Sequence, residues 1–131
     1  ALEDSYSGMR AYGQAKLGNV LFTYELARRL EGSGVTANAV HPGFVATNIG
    51  SNNGWLVNQV MKVVHLFGRS PQEGAETVVY LASSQEVEGV SGKYFFNKQP
   101  IETAPVTYDR QTAQRLWQVS AQMTGLDGHQ E

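Results

Sequence analysis

Two tyrosine–lysine pairs of equal spacing, Tyr12 with Lys16 and Tyr94 with Lys98, are the residues of this sequence whose types could do chemistry. A tyrosine hydroxyl, with an ordinary pKa of about 10, is a poor base at neutral pH. An ammonium about 5 Å away, at an effective dielectric of about 20, favours the phenolate by roughly 3 kcal/mol. That is about a hundredfold gain in acidity, enough to bring the phenol within working range of about pH 7–8. Such a pair suits removal of a proton from an alcohol while a hydride leaves its carbon. The plainer reading is a packed tyrosine beside a lysine whose stem lies along apolar surface. Spacing alone does not separate the two readings.

The elements that carry the pairs do separate them. On a helix, positions i and i+4 stack one turn apart, with Cβ atoms about 5–6 Å from each other. On a strand the same interval spans about 13 Å. Tyr12 and Lys16 lie in "AYGQAKLGNVLFTYELARRL", residues 11–30, which belongs to a helix expected from near Ser7 to Glu31 and stopped by Gly32 and Gly34. Met9, Tyr12, Gly13, Lys16 through its stem, Val20, Ala27 and Leu30 follow helical spacing, and Leu17, Leu21, Tyr24 and Leu26 widen that stripe. The head groups of Tyr12 and Lys16 are thus expected to converge. Tyr94 and Lys98 lie on or just past a strand and read as structural.

Further along, "VTANAV" at residues 35–40 reads as a short buried strand closed by His41, Pro42 and Gly43. A Gly- and Asn-rich loop over residues 48–54 leads to an amphipathic segment, residues 55–67, with Asn58, Gln59, Lys62 and His65 on its polar stripe. It reads either as a packed helix beside a loop or as the wall of a lipophilic pocket hinged at "GSNNG". "SPQE" opens another helix, with Ser70 as cap, Pro71 in the first turn and Glu73 completing a capping box, and it is expected to run to about Ser84. "SGKYFF", residues 91–96, is the second strand, and "NKQPIETAP" the loop after it. The last helix is expected over residues 109–124, with Ala113, Leu116, Trp117, Ser120 and Met123 on one side and a stop at Gly125. Trp117, Tyr94, Phe95 and Phe96 are expected in the core, and His41 is read as structural.

Helices alternating with strands imply a parallel sheet, which needs cover on both faces. Two strands are too few for a stable sheet alone, so the chain resembles the back end of a larger domain. By itself it is expected to expose strand edges and to aggregate or stay molten. The composition narrows the function classes. A net charge of −2 over 131 residues, with scattered cations, gives no footprint for nucleic acid. The absence of cysteine excludes disulfides, thiolate metal sites and cysteine nucleophiles. His41, His65 and His129 are too widely spread to indicate a metal site. No stretch reaches the ~20 apolar residues of a membrane-spanning helix. A cytoplasmic setting is the plain expectation.

Three features taken together resemble the short-chain dehydrogenase/reductase family, and within it the retinol-dehydrogenase-like branch. They are "YGQAKLGNVLFTYELARRL" with its Tyr-x-x-x-Lys, "VTANAVHPGFVATNIG" with a strand and Pro-Gly-x-Val-x-Thr turn, and "SPQEGAETVVYLASS…VSGKYF" with "RLWQVSAQMTGL". The fold this implies is α/β, the C-terminal portion of a doubly wound parallel sheet of the Rossmann type, forming part of a single NAD(P)-binding domain over residues 1–131. The activity implied is hydride transfer between NADP or NAD, with NADP slightly favoured, and an alcohol or carbonyl carbon of an apolar small molecule. By the same resemblance Tyr12 is the catalytic acid/base, and Lys16 holds the nicotinamide ribose and supports Tyr12. Pro42 and Gly43 bring backbone close to the cofactor, Val45 meets the carboxamide, and Thr47 contacts carboxamide or pyrophosphate. A Pro-Gly turn at the carboxyl end of a parallel strand is, on physical grounds too, where such sheets bind ligands.

The sequence departs from the family pattern in specific places. The family's catalytic serine would fall just before Ala1, and its asparagine and glycine-rich loop further upstream. Ala15 replaces a common serine, and Gly18 stands where alanine is usual, at a cost of about 1 kcal/mol in helix propensity. The resemblance also implies a homo-oligomer for the full-length protein. Two other readings stay open: an inactive fragment or interaction module, and an epimerase or dehydratase of the extended type.

Overall fold

The computed structural model describes residues 8–41 and 71–126. In chain order these form α1 (Gly8–Arg29), β1 (Ala39–His41), α2 (Pro71–Ser83), β2 (Tyr94–Phe96), β3 (Gln99–Ile101) and α3 (Arg110–Thr124), with short 3-10 turns at Gln85–Val87 and Pro105–Tyr108. Their contacts divide them into two units. The first holds residues 8–39, 89–94 and 102–126, and the second residues 40–41, 71–88 and 95–101.

In the first unit α1 and α3 pack against each other. Arg28 and Arg29 in the last turn of α1 complement the negative end of its dipole. Gly32 and Gly34, at φ 78° and 80°, then reverse the chain. The buried row of α1 is Leu21, Tyr24, Glu25 and Ala27, whereas Tyr12, Gly13 and Lys16 are exposed. This corrects the stripe expected from the sequence, in which those three faced inward; the side chain of Met9 lies outside the described residues. The seam lies on the other side of the helix, where Leu116 comes within 3.9 Å of the space a Gly18 side chain would fill. There Phe22 stacks on Trp117 at 5.3 Å and 8° between planes.

An ion cluster around the buried Glu25 carboxylate reinforces that seam. The Glu25 carboxylate accepts from Arg28 Nη2 at 2.7 Å and from Arg29 Nε at 2.8 Å, while the Arg29 guanidinium lies 4.5 Å over Trp117. Tyr24 anchors residues 102–109: its hydroxyl pairs with Thr103 Oγ1 at 2.9 Å, and its ring stacks on Tyr108 at 5.5 Å. Burial raises the pKa of Tyr24.

α3 follows its sequence signals closely. Asp109 Oδ1 accepts the N–H groups of Gln111 and Thr112, at 3.0 and 3.3 Å. Gly125, at φ 72°, closes the far end. Its inward line is Ala113, Trp117 and Ala121, at i, i+4 and i+8; the two alanines are buried. Met123, expected on that line, is 83% exposed, because two residues past Ala121 the helix has turned about halfway round.

The expected strand over residues 35–40 is shorter and later than the sequence implies. Val35 is 58% exposed, and the Asn38 side chain helps to tie this segment down. Asn38 Nδ2 donates to Val90 O at 2.7 Å, and its Oδ1 accepts from Lys93 N at 3.0 Å. The backbone pairs that follow, Gly92 N to Ala37 O and Ala39 N to Lys93 O, advance the same way along both segments, so β1 and β2 are parallel.

The second unit holds α2, β3 and the ends of β1 and β2, in a sheet ordered β1-β2-β3. Pro71 is the first residue of α2 and Glu73 lies in its first turn, while Ser70 lies outside the described residues. Thr77 of α2 is buried, as is Phe95 of β2 at 2% exposure. β3 is an element the sequence reading assigns to a loop. Asn97 and Lys98, at φ 51° and 62°, make a two-residue hairpin turn that sends β3 back antiparallel to β2. The usual Asn-Gly signal is missing there, and Pro100 argues against a strand. Proline is tolerated because among the described residues β3 is the last strand in the order, so its N–H side needs no partner there. The sheet is therefore mixed, with three strands among the described residues rather than the expected two.

Candidate functional site

α1 sets Tyr12 and Lys16 on adjacent turns of one exposed face. Tyr12 is 64% exposed, and the Lys16 Nζ lies 5.5 Å from the centroid of its ring. The two head groups occupy one small volume, as i and i+4 on a helix allow. The ammonium meets the face of the ring, where the π electrons attract it. No carboxylate among the described residues forms an ion pair with Lys16. Among the described residues its charge is thus left unpaired and its N–H groups available to hydroxyl oxygens.

The second pair is put to structural use. Lys98 sits in the hairpin turn, its Nζ 3.0 Å from Glu76 Oε2 and its backbone N–H donating to Thr77 Oγ1 at 3.2 Å. Tyr94 is half-buried in β2, where burial raises its pKa. The lysine thus serves to fasten the turn to α2. A depression of about 310 Å³ in this unit is lined by Glu73, Glu76, Thr77, Asn97 and Lys98, and the Lys98–Glu76 ion pair spans two of its lining residues.

Pro42, Gly43, Val45 and Thr47 lie outside the described residues, as does the amphipathic segment at residues 55–67. His41 is exposed at the end of β1, its ring edge-on to Phe96 at 5.2 Å. Among the described residues no group of three His, Asp or Glu could hold a metal ion, and no helix is long and apolar enough to cross a membrane. The sequence reading overlooks Asn19. It is exposed on α1 three residues past Lys16, and that spacing is legible once the exposed face is known.

The family profile described as enoyl-(acyl carrier protein) reductase matches residues 1–97. Human retinol dehydrogenase 14 is 48% identical over 127 residues, covering 95% of this chain and 38% of the relative. Human polyprenol dehydrogenase is 44% identical over 124 residues, 92% of this chain and 38% of the relative. Human dehydrogenase/reductase SDR family member 13 is 41% identical over 120 residues, 90% of this chain and 32% of the relative. The chain thus spans about two fifths or less of the length of each of these relatives.

Proposed function

The chain belongs to the short-chain dehydrogenase/reductase family, and from that premise we propose that the protein is an oxidoreductase acting on the CH–OH carbon of an apolar alcohol, or on the matching carbonyl. The observation that carries the reading is the Lys16 ammonium 5.5 Å from the Tyr12 ring on an exposed helix face. In this role Tyr12 takes the hydroxyl proton of the alcohol, or returns one to a carbonyl oxygen. Lys16 places a positive charge beside the Tyr12 ring, and no acid among the described residues pairs with it.

The family's nicotinamide cofactor, NADP or NAD, supplies or accepts the hydride when bound. The residues present fit such a group in one respect open to test. Lys16, beside the Tyr12 ring, would offer N–H donors to the vicinal oxygens of a ribose. Pro42, Gly43, Val45 and Thr47 would complete the hold on the nicotinamide end. What supports this substrate class is that the names of two relatives refer to retinol and polyprenol.

Equilibrium binding of NADPH and NADH, followed by nicotinamide fluorescence, tests this reading directly. Saturable binding that weakens on Lys16→Met is expected. Binding unaffected by Lys16→Met, or no binding at all, favours an inactive fragment or an interaction module.

A further inference from the structure

Lys16 has one protein partner among the described residues, the face of the Tyr12 ring. An exposed cation–ring contact is a weak, loosely directed hold for a side chain with four rotatable methylenes. An ammonium that must act on one phenol needs a second constraint. On a helix the positions able to reach residue 16 are those three and four away, here Tyr12, Gly13, Asn19 and Val20. Gly13 and Val20 carry no side-chain hydrogen-bond acceptor, so among these described neighbours on α1 Asn19 is the one besides Tyr12 whose side chain offers an oxygen.

Resting on the reading above, we propose that Asn19 is a positioning residue for Lys16. Helical side chains lean toward the N-terminus, so each covers the turn before its own. Asn19 accordingly leans over the turn of Lys16, and Lys16 over the turn of Tyr12. The carboxamide closes off rotamers in which the lysine would swing toward the C-terminus. Through a bridging water its oxygen takes one of the N–H donors that the ring leaves over, as no direct hydrogen bond joins the two side chains.

Helix stability does not account for this residue. Asparagine is a weak helix former in mid-helix, and the Asn19 side chain makes no hydrogen bond to another described residue; the Thr23 hydroxyl bonds its backbone carbonyl instead. Its neutrality is also informative. An aspartate there would hold Lys16 as firmly but would offset the charge that Tyr12 needs. Asparagine orients the ammonium and leaves its charge intact.

The test compares Asn19→Ala, Asn19→Asp and Asn19→Gln with Tyr12→Phe in pH profiles of kcat/KM, using a long-chain primary alcohol and NADP. Asn19→Ala should lower kcat/KM about fivefold, the worth of one hydrogen bond, although alanine is the better helix former and thermal stability should rise. Asn19→Asp should move the rising limb of the profile to higher pH, and Asn19→Gln should restore most of the rate. If Tyr12→Phe abolishes turnover while Asn19→Ala and Asn19→Asp both match the parent in rate and profile, the inference fails and the reading stands. If Tyr12→Phe keeps full turnover, the reading fails and takes the inference with it. A second readout needs no turnover: the Lys16 ε-methylene NMR signal, shifted by the Tyr12 ring, should move toward its unstacked position in Asn19→Ala. An unmoved signal in Asn19→Ala overturns the inference.

Discussion

The Lys16 ammonium rests 5.5 Å from the centroid of the Tyr12 ring, one turn away on the exposed face of α1. The chain's other pair of this spacing behaves differently, since Lys98 turns to Glu76 of α2 at 3.0 Å. Equal spacing therefore produces two outcomes, and the element decides which. A helix brings i and i+4 side by side, whereas a strand ending in a reversed turn sends the lysine elsewhere.

That contrast predicts different responses to mutation. Lys98→Ala should leave turnover within about twofold and cost at most about 0.5–1 kcal/mol of stability, as expected for a half-exposed ion pair. Denaturant titration alongside a rate assay checks both. A large loss of rate in Lys98→Ala would show that the hairpin pair takes part in the chemistry.

Gly18→Ala should stabilise the protein. The new methyl group would stand 3.9 Å from Leu116 Cδ2, an ordinary contact distance, and the helix interior would lose a glycine. The gain expected is about 0.5–1 kcal/mol, read from the midpoint of urea unfolding. Destabilisation would show that the α1–α3 seam needs the bare backbone at this position.

Glu25 makes stability depend on pH at the acid end. Burial raises its pKa, but hydrogen bonds and charge from Arg28 and Arg29 outweigh that and leave it lowered from its ordinary value of 4.5. A carboxylate with the lower pKa in the folded state contributes stability that is fully present above the unfolded value and lost as pH falls through the folded one. The urea midpoint should therefore fall as pH drops below 4.5. Glu25→Gln should be less stable than the parent at neutral pH and flatter across that acid window. Equal acid slopes in parent and variant would remove Glu25 as the cause.

How much of this was legible in the sequence depended on how local each signal was. Asp109 and Gly125 bound α3 because a cap acts within one turn of backbone, and both ends fell where the residues indicate. The convergence of Tyr12 and Lys16 was equally readable, since it needs only a helix. The buried side of α1 was not. It depends on where Leu116 and Trp117 arrive from far along the chain, and periodicity alone placed Tyr12 and Lys16 inside. Glu25 is buried because two arginines on its own helix neutralise it while one of them stacks on Trp117, a combination that composition does not reveal. β3 escaped notice because Asn97-Lys98 takes up a left-handed pair of residues without a glycine.

The most direct test of the account is turnover of an apolar primary alcohol with NADP or NAD by the parent and Tyr12→Phe proteins, with cofactor affinity measured in parallel. A fall in kcat of about 10²–10⁴-fold is expected for Tyr12→Phe, the range for losing a positioned acid/base, with cofactor affinity little changed. Parent-like turnover in Tyr12→Phe would contradict it.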